Sequence, residues 1–541
     1  MEQEEIQKIC IKKNILLDAA LLNAFSSFQN VSLLEAFLDK VKVTLGKRFI
    51  TLSLIKKNSD KVGKFASEFF PKEDPEREDL YSKLDLSDES IYIKEQQKRS
   101  RENLSSSQRK VKVLYSFYQS DKKPEVKDFV NHFRGRYESM KDLLQNCPEL
   151  ENLVSISKIS GEKQKFSVIG IVSDKQVTKN KNLIFEIEDL TGKMKVLVSS
   201  GKEDLVKDAD EITLDSVLGF QGTGNKEILF ANKILFPEAT LPERKRSDAE
   251  EYALFLGDIH YGSKNFLEKD FLKFIDYLNG KVQGTPEVKN IKYLFIAGDL
   301  VTGIGNYPDQ EPDLKIIDLE AQFRGIADLL GQIRKDITII ISPGNHDGVR
   351  LAEPQPPLDE KYAWPVYELE NAILVSNPST VNIGKSNTFD GFNVLIYHGF
   401  SFPFYANVIP SLISEKAMNQ PEKIMKYLLK NRHLAPTHTS AQYLPLESDP
   451  LVIKDTPDIF LSGHTHKSGV AYFNNILIVS ASSWEGLTPY QEKFGNTPDH
   501  CKVPMINLKT RQIKILDFET GEDKVKLYHD ENKSKEENGN T

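Results

Sequence analysis

Apolar residues recur at the spacing of a helix in the first 66 residues. Leu33, Leu34, Phe37, Leu38 and Val41 fall on one helical face, which is typical of an amphipathic helix with one buried side. The pattern predicts a small helical module over residues 1–66 that ends in the strand-like run FITLSLI. We expect a module of this size to dock a partner rather than to carry an extended site.

The apolar pattern is lost between residues 67 and 124. Stretches such as PKEDPEREDLYSKLDLSDES and KEQQKRSRENLSSSQRK contain almost only charged and small polar residues, which cannot bury a core. We therefore expect a polar, disordered linker over 67–124, with contact between its basic second half and nucleic acid as an alternative. Helical spacing returns in VKDFVNHFRGRYESMKDLLQ and predicts a helical connector over 125–160.

Residues 161–240 change to a period of two. The runs FSVIGIVSD, NLIFEIEDLTG, KMKVLVSS, SVLGFQGTG and KEILFANKILFP read as five short strands separated by turn residues. Five strands in this length suit an oligonucleotide-binding (OB-fold) barrel. A small barrel that serves only for protein contacts is an alternative of nearly equal weight.

Strands and helices alternate from residue 250 to 518. The predicted strands are short apolar runs bounded by Gly and Asp: YALFLGD, KYLFIAGD, ITIIISPGN, NAILVSN, FNVLIYHG, DIFLSGH and ILIVSASS. Such runs indicate buried strands of an α/β or mixed sheet. The fold class expected for the whole chain is multidomain α/β, and the polar residues 519–541 are expected to be a disordered tail.

Composition narrows the class of protein further. The chain has 541 residues, of which 39% are hydrophobic and 28% charged, as in soluble proteins of several domains. No run approaches the roughly 20 apolar residues that cross a bilayer, and the start MEQEEIQKIC does not resemble a signal peptide, so we expect a cytoplasmic protein without a membrane partner. The three cysteines are odd in number and far apart, which argues against a disulfide framework and against a thiolate zinc site. The net charge of −8 does not by itself indicate nucleic-acid binding.

Five of the predicted strands end in potential metal ligands. Five of the chain's ten histidines lie at these ends. The motifs are LGDIH, AGDL, PGNHD, YHG and GHTH, which contain Asp258, His260, Asp299, Asn345, His346, Asp347, His398, His464 and His466. Loops at the carboxyl ends of such strands converge on one crevice, so we expect these side chains to meet.

The types of ligand indicate which ions they would bind. Carboxylates, imidazoles and an amide without thiolates suit Mn²⁺, Fe²⁺ or Zn²⁺. One carboxylate able to bridge two groups of nitrogen and oxygen ligands is typical of a two-metal site, with ions about 3.5–4 Å apart, that acts on phosphoryl groups.

The ordered series D-x-H, G-D, G-N-H-D, H-G and G-H-x-H resembles the calcineurin-like metallophosphoesterases over residues 250–485. The resemblance implies a β-sandwich-type phosphoesterase domain. It assigns Asp258, His260 and His466 to the first metal, assigns Asn345, His398 and His464 to the second, and makes Asp299 the bridging ligand. His346 would protonate the leaving oxygen or stabilise the charged transition state, and Asp347 would orient His346.

A pair outside these motifs is a candidate for substrate binding. Arg432 and His433 follow the amphipathic run PEKIMKYLLK, in KNRHLAPTH. With Lys430 and His438, they are candidates to line a substrate groove, and a surface loop without a role in binding is an alternative of at least equal weight.

The order of domains resembles the small subunits of archaeal family-D DNA polymerases. KNRHLAPTH and SASSWEGLTPYQEKFG add local likeness to that family. The resemblance implies a 3′→5′ proofreading exonuclease activated by two divalent ions, Mn²⁺ or Mg²⁺. It further implies three partners: a large catalytic polymerase subunit, DNA and a sliding clamp. A stand-alone metallophosphatase, a cyclic-nucleotide phosphodiesterase and a non-catalytic polymerase scaffold remain alternatives.

Overall fold

The computed structural model describes residues 3–13, 15–26, 31–45, 49–57, 62, 84, 110–118, 123–493, 497–519 and 524–527. The chain divides into two compact units, Met1–Leu104 and Ser105–Thr541. Within the described ranges, no helix combines the length and apolar character needed to traverse a membrane.

The first unit is mainly helical around one apolar core. Its helices are Gln3–Lys12, Ala19–Phe25, Val31–Leu45 and Leu52–Lys57, and two short parallel strands, β1 (Leu16–Leu17) and β2 (Phe49–Ile50), pair beside them. The run FITLSLI differs from expectation, because only its first two residues are a strand. The hydroxyl of Thr51 accepts a hydrogen bond from the amide of Leu54 at 3.1 Å, and such a side-chain cap starts a helix.

The region expected to be a linker contains a strand. Lys112–Ser116 forms β3, which pairs antiparallel with Ser379–Ile383 in the second unit. The run VKVLYSFY is rich in β-branched and aromatic residues, which are favoured in strands. This part of the 67–124 prediction is wrong, and most of the remainder lies outside the described residues. The connector is helical over Val126–Leu144.

Five strands of the second unit close into a barrel. Each of the five runs expected to be a strand is one: β4 (Gln164–Val177), β5 (Leu183–Asp189), β6 (Gly192–Val198), β7 (Val217–Gly224) and β8 (Ile228–Leu235). Their order is β4-β5-β6-β8-β7, and β7 pairs back onto β4. The helix Glu203–Asp210 lies between β6 and β7 in the chain.

Two mixed sheets follow. The first has the spatial order β12 (Ala372–Leu374), β11 (Thr338–Ser342), β10 (Ile291–Ala297), β9 (Tyr252–Leu256), β18 (Lys502–Asn507), β19 (Ile513–Asp517) and β20 (Lys524–Leu527). The second has the order β16 (Gly469–Phe473), β17 (Ile476–Ser480), β15 (Ile459–Ser462), β14 (Phe392–Ile396), β13 (Ser379–Ile383) and β3. The expected α/β class with several domains is confirmed. The prediction of a disordered tail over 519–541 is wrong at Lys524–Leu527, which pairs with β19.

The two sheets pack face to face through a shared apolar core. Phe255 and Phe295 of the first sheet stack at 5.6 Å between ring centroids, in the same cluster as Val394 and Leu461 of the second. Helices cover the outer faces: Glu268–Leu278, Leu319–Leu330 and Glu360–Tyr367 on the first sheet, and Phe402–Val408, Pro410–Ser414 and Pro421–Asn431 on the second. The short helix Pro489–Lys493 follows β17.

Candidate metal centre

The five strand-end motifs meet at one edge of the two sheets. Strands β9, β10 and β11 run parallel in the first sheet, and β14 and β15 run parallel in the second. Each ends two or three residues before its first predicted ligand. Because parallel strands end at the same edge, the side chains converge, as the sequence predicts.

Asp258, His260 and His466 form the first group of potential ligands. The Nε2 atoms of His260 and His466 lie 3.0 Å apart. The Oδ1 of Asp258 lies 4.0 Å from Nε2 of His260 and 3.5 Å from Nε2 of His466. All three atoms therefore face one small volume.

A second group lies on the other side of Asp299. The Oδ1 of Asn345 is 3.0 Å from Nε2 of His398 and 3.0 Å from Nδ1 of His464. The Oδ2 of Asp299 is 3.3 Å from Nε2 of His398 and 3.7 Å from Nε2 of His260. Asp299 thus lies between the two groups, in the position of a bridging ligand.

The backbone holds these side chains in an uncommon conformation. Five of the residues have φ in the left-handed region: Asp258 (51°), His260 (52°), Asp299 (51°), His464 (69°) and His466 (55°). Non-glycine residues seldom adopt this conformation, which costs about 1–3 kcal/mol each. Gly463 lets the loop approach closely, since a Cβ there would lie 2.6 Å from Oδ2 of Asp258. The fold therefore sustains strain to aim the ligands inward.

When no cation is bound, protons must balance the carboxylates of the centre. Burial raises the pKa of the Asp258 carboxyl well above its ordinary value. Burial disfavours the Asp299 carboxylate too, but His398, His346 and His260 together outweigh it and hold the pKa of Asp299 well below its usual range. Burial would lower the pKa of His398, yet Asp299 raises that pKa to about 10. Burial lowers the pKa of His464 and of His466 to about 3.

These donors fit a divalent cation. The Nδ1 of His398 donates to the carbonyl of Ala297 at 2.8 Å, and the raised pKa of His398 keeps a second proton on Nε2, which faces the oxygens of Asn345 and Asp299. A cation bound between these atoms would take the place of that proton, since neutral imidazole and carboxylate are its ligands. Where the Nε2 atoms of His260 and His466 face each other at 3.0 Å, one of them likewise carries the hydrogen of the contact when no cation is bound.

His346 lies beside the two groups, and its partner differs from the predicted one. Its ring packs edge-on against that of His260 at 4.8 Å between centroids, and its Nδ1 lies 2.8 Å from the carbonyl oxygen of Thr302. Asp347 accepts instead from the amides of Val301 (3.0 Å) and Gly344 (2.8 Å). The prediction that Asp347 orients His346 is therefore wrong: its carboxylate fixes the two loops that hold the ligands.

Arg432 and His433 lie inside the protein and do not line a groove as predicted. Arg432 donates from Nε to the carbonyl of Ile453 at 2.8 Å, and Nε2 of His433 lies 2.9 Å from Oδ2 of Asp449. Both side chains are buried. Asp449 also accepts from Nε of Arg136 at 2.6 Å, and Nη2 of Arg136 lies 3.1 Å from Nε2 of His132. We name His132, Arg136, His433 and Asp449 the Arg136 cluster; it ties the helix Val126–Leu144 to the 432–453 segment.

Sequence reasoning missed several residues that contact the site. Gln491 places Nε2 2.9 Å from Nδ1 of His466, and Asn377 accepts the amide of His398 through Oδ1 at 2.8 Å. The Tyr397 hydroxyl donates to Glu353 at 3.1 Å, and burial raises the pKa of Glu353 to about 8. Of these residues, only Gln491 could have been singled out from the sequence, because it lies in the stretch SASSWEGLTPYQEKFG that resembles the family.

The fold and the site define a class: a multidomain α/β protein whose mixed sheets carry a buried imidazole–carboxylate centre suited to divalent metals. Comparison with known proteins specifies it further. Residues 253–470 match the B-subunit family of DNA polymerases alpha and epsilon. The DNA polymerase II small subunit of Methanothermobacter thermautotrophicus is 36% identical over 399 residues, which are 73% of this chain and 80% of that protein. The chain therefore belongs to the family of archaeal DNA polymerase II small subunits, which confirms the resemblance seen in the sequence.

Other relatives agree. The DNA polymerase II small subunit of Methanocaldococcus jannaschii is 40% identical, over 71% of this chain and 64% of that protein. That of Pyrococcus furiosus is 38% identical over 73% of this chain, and the chain spans 64% of that relative's length. Among solved structures, Vps29 of Cryptosporidium parvum superposes with a TM-score of 0.27 at 15% identity, over 52% of this chain and 98% of that one.

Proposed function

We propose that the chain is the small subunit of a DNA polymerase and carries a metal-dependent 3′→5′ exonuclease activity that proofreads for a large catalytic subunit. One observation carries the proposal: Asp299 lies between two groups of nitrogen and oxygen donors, within 3.7 Å of His260 on one side and 3.3 Å of His398 on the other. This arrangement favours a phosphoesterase rather than a scaffold, which has no need of such a costly buried cluster.

The residues have distinct roles in this proposal. Asp258, His260 and His466 would hold one divalent ion, Asn345, His398 and His464 would hold a second, and Asp299 would be shared by the two groups. The ions, Mn²⁺ or Mg²⁺ with Fe²⁺ or Zn²⁺ as alternatives, would supply Lewis acidity that stabilises the charge developing on the phosphoryl oxygens. His346 faces the centre without being needed as a ligand, and its half-buried ring would give a proton to the leaving 3′ oxygen.

The substrate and partners rest on family membership. A small subunit implies a large one, and a polymerase implies DNA; a sliding clamp is the third partner proposed. The closed five-stranded barrel is compatible with an OB-fold that contacts either DNA or the large subunit. The direction of cleavage also comes from the family rather than from the geometry of the site.

The test is an assay on a primer–template with a mismatched 3′ end, using the full chain with and without its large subunit, in Mn²⁺. We expect mononucleotides to be released from the 3′ end. Asp299→Ala should abolish release, and His346→Ala should slow it about 10²–10⁴-fold, as loss of a general acid does. Asp328→Ala, at an exposed position, is the matched control and should leave the rate unchanged.

Other outcomes would select the alternatives. Hydrolysis of phosphoproteins or cyclic nucleotides, without release of nucleotides from DNA, would identify a stand-alone phosphatase or phosphodiesterase. A chain that binds its large partner yet hydrolyses none of these substrates in any of the four metals would be a scaffold.

A further inference from the structure

The loop that follows the bridging Asp299 folds over the ring of His346. Residues 302–306 read TGIGN, and the carbonyl of Thr302 lies 2.8 Å from Nδ1 of His346. A carbonyl oxygen can only accept, so this short contact is a hydrogen bond in the tautomer that carries its hydrogen on Nδ1. In a neutral ring, Nε2 then has the free lone pair and is the atom able to exchange a proton.

Gln310 holds that carbonyl in place. Its Nε2 donates to the oxygen of Thr302 at 3.0 Å, and its Oε1 accepts from the backbone amide of Asn306 at 2.9 Å. Gln310 is only 2% exposed, so both ends of its amide are used inside the protein. Asn306 donates to the same carbonyl from Nδ2 at 3.0 Å and lies 3.2 Å from Nδ1 of His346.

A second buried amide fixes the base of the loop. Gln322, fully buried, accepts from the amide of Gly303 at 2.9 Å and donates to the carbonyl of Ile316 at 2.7 Å. Gly303 has φ of 68°, and a Cβ there would overlap the carbonyl of His346 and the side-chain nitrogen of Asn306. Several contacts therefore fix the conformation of this loop against His346.

We propose that Gln310 is a positioning residue for His346: by fixing the Thr302 carbonyl, it keeps a hydrogen on Nδ1, so that the protonated ring gives its Nε2 proton to the leaving oxygen and becomes the neutral Nδ1–H tautomer. This proposal rests on the proposed function. A backbone carbonyl, oriented by a buried glutamine, takes the part that sequence reasoning assigned to the carboxylate of Asp347. Removing the group that bonds a histidine's second ring nitrogen commonly lowers activity about 10–100-fold.

The experiment compares two substrates that differ in their need for an acid. Mismatched primer–template DNA has a deoxyribose 3′ oxygen as its leaving group, which needs a proton. The p-nitrophenyl ester of thymidine 5′-monophosphate releases p-nitrophenolate, which does not. The variants are Gln310→Met, which keeps the side chain's length but removes both polar ends, and the exposed Gln332→Met as matched control.

We expect Gln310→Met to lower kcat on DNA about 10–100-fold with KM changed less than about twofold. Its rate on the p-nitrophenyl ester should stay within about threefold of wild type. The double variant Gln310→Met/Asn306→Asp should recover much of the DNA activity, because a carboxylate at position 306 can accept from Nδ1 directly. A residue that merely supports folding would lower both rates together and would not be rescued by that carboxylate.

A second measurement does not depend on turnover. In the metal-free full chain labelled with ¹⁵N-histidine, long-range ¹H–¹⁵N spectra should give the Nδ1–H tautomer for His346, identified by its loss in His346→Ala. Gln310→Met should mix the two tautomers. An unchanged tautomer, or equal losses on both substrates, would overturn the role of Gln310 while the proposed function stands. A wild-type chain inactive on both substrates would overturn both.

Discussion

The metal centre and the Arg136 cluster are built from the same residue types but neutralise their charges differently. Both bury histidines against carboxylates at hydrogen-bond distance. In the Arg136 cluster, a guanidinium 2.6 Å from Asp449 supplies permanent positive charge. In the centre, Asp258 and Asp299 face imidazoles and an amide, and the compensating charge must be a proton or a cation. Histidine–carboxylate geometry alone therefore does not identify a metal site; the source of the positive charge does.

The largest effect should come from removing the internal cation. Arg136→Met leaves Asp449 buried without its guanidinium, and breaking a buried pair in this way costs about 3–5 kcal/mol. Urea unfolding of the full chain at pH 7 would measure the loss. Arg134→Met is the matched control, since Arg134 is exposed on the same helix and should change stability by less than about 0.5 kcal/mol. Equal losses in the two variants would show that the guanidinium is not what balances Asp449.

The metal centre should respond to an external cation instead. Mn²⁺ at about 100 times its dissociation constant should raise the free energy of unfolding by about 2.7 kcal/mol. Asp299→Asn should lose this increment, because a neutral amide bridges two ions poorly. His433→Gln, within the Arg136 cluster, should retain it in full. An undiminished increment in Asp299→Asn would place the bound ion elsewhere.

The Arg136 cluster should also be sensitive to acid. Burial lowers the pKa of His433 to about 4, below the value of about 6.5 for an unfolded chain. Between these values the unfolded state binds the extra proton, so stability falls as pH falls through this window. Between pH 7 and pH 5, His433 should lower the free energy of unfolding by about 2 kcal/mol.

Unfolding in urea at both pH values would measure this contribution. His433→Gln should lose less stability on acidification than wild type by that amount, whereas the exposed His438→Gln should lose nearly as much as wild type. If the two variants behaved alike, His433 would not be the group that titrates.

The metal centre and the Arg136 cluster also show which contacts could be predicted from the sequence and which could not. The ligands of the centre lie directly after apolar strands, so their convergence follows from local pattern and from the parallel arrangement of those strands. The partners of His346 and His433 could not be found in this way. Thr302 acts through its backbone carbonyl, which any residue carries, and Asp449 and Arg136 come from distant segments whose approach depends on the whole domain. The strand β3 was missed because its short run of β-branched and aromatic residues follows a long, strongly polar region.

The smallest change in stability is expected from neutralising Asp258, a buried carboxylate of the metal centre. Burial raises the pKa of Asp258 well above its ordinary value, so its charged form disfavours the metal-free fold. Asp258→Asn keeps an oxygen to accept the amide of His464, which lies 3.0 Å from Oδ1. We expect this variant to be more stable than wild type by about 1 kcal/mol in a chelator at pH 8, as is common when a costly functional group is neutralised. Its Mn²⁺ increment should disappear, and the exposed Asp328→Asn should change neither quantity. Loss of stability on neutralising Asp258 would mean that its charge is balanced within the protein, as that of Asp449 is, and that the centre does not depend on a cation from outside.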